Sequence, residues 1–265
     1  MKRGDIILDT LEVLKNRMSL RKYADRPISE EDLKIVLEGA MRAPTAGNMM
    51  LYSIIVVKDK EKKEILSRTC DNQPFIANAP VVLIFLADMQ RWFDYYNYSG
   101  VKEFCVEKGI EYNSPDEGDL MLAAADAIIA AQNAVIAGEA LNIGSCYIGD
   151  IIENYEIHRD LLKLPKWVFP VAMLCMGYYP EEQKRIISPR FDSEYIVYNE
   201  EYRRLTDEDF KDMFVEREKR VSPDNKLGAK NLGQFMYAKK TGSEFSKEMT
   251  RSVREMLKNW HGEDI

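Results

Sequence analysis

Arg17-Met18-Ser19-Leu20-Arg21-Lys22-Tyr23 and Ala43-Pro44-Thr45-Ala46-Gly47-Asn48 are the two stretches on which the reading of this chain turns. The first gathers two guanidiniums and a hydroxyl within five residues. Guanidinium forks match phosphate oxygens in charge and planar geometry, so this composition suits a phosphate. The second is a turn of small residues after an amphipathic helix, with backbone and amide groups free to bond a planar polar ligand.

Between them, Pro27-Ile28-Ser29-Glu30-Glu31-Asp32 opens a helix. Ser29 is the natural N-cap, Asp32 follows three residues on, and acids line the first turn. Leu33, Val36, Leu37 and Ala40 form its inner face, and Pro44 lies just beyond its end. Upstream, Ile6 to Leu14 has helical spacing and delivers the chain to the arginines.

Downstream, apolar runs predict strands at Tyr52–Val57, Val81–Ala87, Cys146–Ile148 and Phe169–Met176. Helices are expected at Lys60–Arg68, mostly solvated, and near Glu156–Leu162. Gly118 to Leu141 is rich in Ala, Ile and Leu around most of its circumference. Asp119, Asp126, Gln132, Asn133 and Glu139 would be expensive in hydrocarbon, so a buried core helix is expected rather than a membrane span. Its alanines allow close packing, and a subunit interface is one use for them. Two regions read as additions: an aromatic, irregular insert at about 88–117, holding Trp92, Phe93, Tyr95, Tyr96 and Tyr98, and a charged helical extension at 200–265. The extension is expected to wrap the core or a partner subunit.

Composition narrows the chemistry. A chain of 265 residues with 46% hydrophobic and 10% aromatic residues can bury a substantial core. A formal net charge of −7 argues against broad nucleic-acid binding. The four cysteines have no C-x-x-C pair, and with only two histidines no zinc-ligand spacing can be assembled. Reduced cysteines and an N-terminus without the apolar run of a signal peptide lead us to expect a cytoplasmic protein. No phosphate-binding G-x-x-x-x-G-K-[ST] or strand-linked G-x-G-x-x-G is present, nor a G-x-S-x-G nucleophile elbow. Difficult chemistry in such a chain belongs to a cofactor.

From about Leu14 to about Val197 the chain resembles the FMN-dependent nitroreductase family. The basic cluster matches the family's phosphate site, and Pro44-Thr45-Ala46-Gly47-Asn48 matches its Pro-Ser-x-x-Asn turn. Ala140-Leu141-Asn142-Ile143-Gly144-Ser145-Cys146-Tyr147-Ile148-Gly149 is similar to the run that brings backbone beside the isoalloxazine ring. The resemblance implies FMN held by Arg17, Ser19, Arg21, Pro44, Thr45, Ala46, Asn48, Gln73, Ile148, Gly149 and Arg190, with NADH or NADPH as reductant. Neither a metal nor a catalytic side chain is implied. The Pro44–Asn48 turn would approach the flavin from the opposite subunit. Cys146 is expected to be a small strand residue rather than a reactive thiol.

The chain departs from the family at Met49-Met50-Leu51-Tyr52, where Gln-Pro-Trp is common, and at Ser188, where relatives often carry lysine. Lys184 or Arg185 stands close enough in sequence to substitute.

The implied fold is α+β: a small mixed or antiparallel sheet surrounded by helices, in an intertwined homodimer with a C-terminal helical extension. Residues 1–199 would form the FMN-binding domain and 200–265 the extension. The implied activity is ping-pong reduction of nitroaromatic, quinone or similar acceptors by NAD(P)H, without nucleic acid or membrane as partners. The aromatic insert would serve as lid or interface. Other outcomes are a flavin reductase, a reductive dehalogenase, or a flavin-holding dimer without turnover.

Overall fold

The structure is a computed structural model and describes residues 10–262. The helix expected from Ile6 begins outside the described residues; inside them α1 runs Thr10–Asn16. Strand β1 (Tyr52–Val57) starts a four-stranded sheet with β2 (Val81–Asp88), β3 (Ile143–Ile148) and β4 (Val168–Tyr178). The order is β1-β2-β4-β3, and every neighbouring pair is antiparallel.

Side-chain alternation along β2 sorts the core into two layers. Val81, Leu83 and Phe85 face one side, where α2 (Glu30–Met41) and α7 (Glu117–Ala140) cover the sheet. Val82, Ile84 and Leu86 face the other, under α3 (Lys60–Thr69) and α4 (Pro74–Asn78). Both faces of β2 are buried, which is why its sequence is continuously apolar rather than alternating. Pro170 would interrupt an ordinary central strand, because it lacks an N–H. Here the register slips so that Phe85 pairs Ala172 while Leu86 pairs Pro170, leaving Val171 as the extra residue of a bulge.

Ser29 caps α2 as expected, its Oγ accepting from the Asp32 N–H at 3.0 Å. Helices α2 and α7 cross closely at Gly39, where a Cβ would stand 2.8 Å from that of Ala137. Helix α3 is less solvated than its sequence predicts. It buries Leu66 and Ser67, and the ammonium of Lys63 reaches the carbonyl of Ala79 at 2.6 Å.

Helix α7 is long and apolar enough to span a membrane by length and composition. In the structure one side of it packs on the sheet through Ala123, Ala127, Ala130, Ala131 and Ala134. The expectation of burial all round needs correction: Met121, Leu122, Ile128 and Ile129 form an exposed stripe on the other side. The aromatic insert also differs from expectation, because it is not irregular. It forms α5 (Gln90–Tyr98) and α6 (Val101–Lys108), and its aromatics pack at helical spacing, Trp92 against Tyr95 and Tyr96.

The described chain divides into two compact units, one running to Ile186 and resuming at Met249, the other Ile187–Glu248. In the first, α8 (Tyr155–Leu162) and the end of α11 (Glu244–His261) close a third core cluster of Tyr155, Trp167, Phe169, Met256 and Trp260. The Trp167 indole N–H donates to the Trp260 carbonyl at 3.1 Å. The second unit holds α9 (Asp207–Glu218) and α10 (Leu232–Met236), which line an apolar groove of about 660 Å³ with Phe210, Phe214 and Met236.

Gly39→Ala tests the α2–α7 crossing. Helix propensity alone favours alanine by ~0.5–1 kcal/mol. The blocked approach to Ala137 should outweigh that, giving a net loss of ~1–2 kcal/mol in the urea unfolding free energy.

Candidate functional site

The two arginines of the opening motif sit beside the β3 edge of the sheet. Ser19 forms a parallel bridge with Ser145, and the Leu20 N–H donates to the Ser145 carbonyl at 2.9 Å. Gly144 makes this approach possible, since a Cβ there would meet Leu20 and the Tyr179 ring at 2.7 Å. The Arg21 guanidinium lies 5.7 Å from the Phe75 ring centroid. Arg17 carries a buried Nη1 that has no hydrogen-bond partner among the described residues. A buried guanidinium donor left unpaired is costly unless a ligand satisfies it, and an anion is the chemistry that does.

Behind these cations lies a buried acid that sequence reading gave no role. Glu139, 1% exposed, accepts from Tyr179 Oη at 2.7 Å and from Arg185 Nη1 at 2.9 Å. Burial raises its pKa, and the bonds from Tyr179 and Arg185 act against that rise. Arg185 also donates to the Asn16 carbonyl at 3.1 Å and stacks 4.2 Å from the Tyr179 ring centroid. It therefore braces the end of α1, beside Arg17, and its charge is committed to Glu139.

At the end of β3, Ile148 is buried and Gly149 is exposed, with nothing within 4 Å of where a Cβ would point. Gln73 belongs to the same corner, its amide nitrogen donating to Asp150 Oδ2 at 2.8 Å and to the Cys70 carbonyl at 3.0 Å. His158 anchors the neighbouring loop: its Nδ1 lies 2.9 Å from the Ile151 carbonyl and its Nε2 2.8 Å from Thr69 Oγ1. Donation from Nδ1 to the carbonyl leaves Nε2 to accept from the hydroxyl. Cys146 is buried and burial raises its thiol pKa, as a structural rather than a reactive cysteine requires.

The second motif is a tightly specified turn. Gly47, Asn48 and Met50 all have left-handed backbones, with φ of 56°, 56° and 52°. For a residue such as Met50 that conformation costs about 1–3 kcal/mol and persists only when neighbours impose it. The Met50 N–H donates to Thr45 Oγ1 at 3.1 Å, and its carbonyl accepts from Arg91 Nη2 at 2.5 Å. Asp126, 3% exposed on α7, takes the Ala46 N–H at 3.0 Å and the Leu51 N–H at 3.2 Å. The Trp92 indole holds the Met49 carbonyl at 2.8 Å. Pro44 and Asn48 are exposed, and the Asn48 amide makes no bond to another described residue.

The expected site residues thus fall into two groups. Arg17, Ser19, Arg21, Gln73, Ile148 and Gly149 line the β3 side of the sheet; Pro44, Thr45, Ala46 and Asn48 lie before β1, at the other edge. Across four strands the edges are ~14 Å apart. Along α7, Asp126 beside the turn and Glu139 beside the arginines are separated by ~20 Å. No hydrogen bond, ion pair or ring contact joins the two groups among the described residues. Arg190 and Ser188 are exposed in the Ile187–Glu248 unit. Asp126 and Glu139 were visible in sequence as acids inside an alanine helix, a signal of bonded roles; nothing local marks Arg91.

Comparisons with known proteins bear on the family and the fold. The sequence profile described as the Nitroreductase family matches residues 14–178. An FMN reductase [NAD(P)H] of Bacillus subtilis is 32% identical over 196 residues, covering 73% of this chain and 74% of its own length. An FMN reductase (NADPH) of the same organism is 29% identical over 216 residues, 81% of this chain and 82% of the relative. Among solved structures, B. megaterium NfrA2 superposes with a TM-score of 0.76 at 27% identity, over 95% of this chain and 96% of its own. The NADPH:FMN oxidoreductase from Vibrio harveyi, complexed with NAD+, shares the fold at a TM-score of 0.75 and 21% identity, over 94% of this chain and 97% of its own.

His158 gives this corner a pH signature. Burial lowers its pKa from 6.5, opposed by the bond to the Ile151 carbonyl. The unfolded chain therefore binds a proton that the folded chain refuses, so stability is full above pH 6.5 and falls as pH drops below it. Urea midpoints measured from pH 8 to pH 5 should decline along that limb, and His158→Gln, which keeps a donor and an acceptor, should flatten it.

Proposed function

The chain belongs to the nitroreductase family, and from that membership we propose an FMN-dependent NAD(P)H oxidoreductase acting on small electron-poor acceptors such as nitroaromatics and quinones. The observation that carries the reading is the buried, unpartnered Nη1 of Arg17 beside Ser19 and Arg21. Those three residues would hold the FMN phosphate. Open space in front of Gly149 suits a flat ring against the Ile148–Gly149 backbone, and Gln73 offers its unbonded amide oxygen at the same corner.

When bound, FMN would supply the redox chemistry of hydride transfer between NAD(P)H and the acceptor. The chain's part is to bind, orient and stabilise negative charge with main-chain donors. No side chain is assigned as a proton donor.

The reading includes a homodimer. Pro44, Thr45, Ala46 and Asn48 lie at the opposite sheet edge from Arg17, and the reading assigns them to the flavin of the opposite subunit. A two-fold partner brings the turn of one copy to the arginines of the other. The exposed Met121, Leu122, Ile128 and Ile129 stripe of α7 is an apolar surface for such an interface. The part of the 200–265 extension that lies in the second unit, residues 200–248, is proposed to embrace the neighbour. The cysteines are free and buried, in keeping with a reducing, cytoplasmic setting. Relatives named FMN reductase favour free flavin as a second acceptor.

Purified protein should show a yellow flavin spectrum that NAD(P)H bleaches in the absence of oxygen. A colourless protein that refuses added FMN overturns the proposal. Arg17→Ala should weaken FMN binding roughly tenfold to a hundredfold, the usual range for losing a charge-assisted bond. Flavin fluorescence quenching measures it.

A further inference from the structure

The Thr45–Leu51 turn is bonded from two sides by groups that make no use of its outward face. Asp126 of α7 takes the N–H groups of Ala46 and Leu51, one oxygen to each. Arg91, in the first turn of α5, reaches back across the sequence to the carbonyls of Met50 at 2.5 Å and Tyr52 at 2.8 Å. Trp92, the next residue, bonds the Met49 carbonyl. Arg91 is itself seated, its own N–H donating to Asp88 Oδ1 at 3.2 Å.

A surface turn does not need so many anchors to reverse the chain. Gly47 and a proline-terminated helix would do that alone. What the anchors impose is a left-handed Met50, a conformation its side chain disfavours. The polar groups they leave unbonded are those of the outward face, above all the Asn48 amide.

We infer that Asp126 and Arg91 are positioning residues that fix the Thr45–Leu51 turn in its ligand-binding shape, and that through Arg91 and Trp92 the aromatic helix α5 and the flavin-facing turn are set as one unit. The inference rests on the FMN reading given above. It extends that reading inward, to residues that touch neither flavin nor acceptor. A negative charge fixes the donors of the turn and a positive charge fixes its acceptors, so the two residues act on the same backbone from opposite sides. Helix α5 carries Trp92, Tyr95 and Tyr96, so an acceptor resting on those rings would bear on the turn through the same bonds.

The test compares Asp126→Asn, Arg91→Ala, their double variant and Ser252→Ala as full-length proteins. In Asp126→Asn the amide turns one N–H donor toward another, leaving a buried group unpaired. FMN dissociation constants from fluorescence quenching should rise at least tenfold for Asp126→Asn and about fivefold or more for Arg91→Ala. The double variant should fall clearly short of the product of the two effects, because both act on one turn. Ser252→Ala removes a buried hydroxyl that bonds the Tyr155 N–H and the Ile152 carbonyl away from the turn. It should lower the melting temperature without moving the FMN constant. Unchanged FMN constants in both single variants, with only melting temperature lowered, would overturn the inference while Arg17→Ala still weakened binding. Strictly multiplicative effects would overturn the shared turn. Wild-type protein that binds no FMN would instead sink the reading on which the inference rests.

Discussion

Two carboxylates buried in an alanine-rich helix govern the arrangement of everything around them. Removing an ionised acid from water is tolerable only when donors replace the lost hydration. Helix α7 does this twice. Asp126 is surrounded by the backbone donors of the turn before β1, and Glu139 by the hydroxyl of Tyr179 and the guanidinium of Arg185. Alanines between them keep the helix close to the sheet. The two acids thus set where the turn and the arginine cluster settle, and the sheet fills the interval.

Most elements of the core were legible in the sequence, for reasons that are local. Tyr52–Val57 and Val81–Asp88 are runs of β-branched and aliphatic residues bounded by turn formers, and each became a strand. Ser29 announced its helix through a cap that needs no tertiary context. The aromatic insert reads as irregular in sequence because its many rings hide a helical spacing that only emerges when Trp92 meets Tyr95 and Tyr96. The long helix read as buried all round, since apolar residues on every side do not reveal which side lacks a covering layer.

The site was legible as residue types and hidden as geometry. Arg17, Ser19, Arg21 and the small-residue turn were recognisable by composition and order. That Arg185 spends its charge on Glu139 could not be read, because the partners are far apart in sequence and meet through the folded end of the sheet. Gly144 is a similar case. The groove it opens is filled by Leu20 and Tyr179 of the same chain, a contact between segments distant in sequence. Gly149, with empty space in front of it, is the glycine that faces outward.

The placement of Asp126 and Glu139 toward opposite ends of one helix has a genetic corollary. If the site is shared between two copies, as proposed, alleles damaged at opposite poles of α7 lie in different halves of each site. A cell carrying both assembles some mixed pairs, and in those pairs one site collects both lesions while the other collects neither. Two loss-of-function alleles would then complement each other within a single gene, and alleles at the same pole would not.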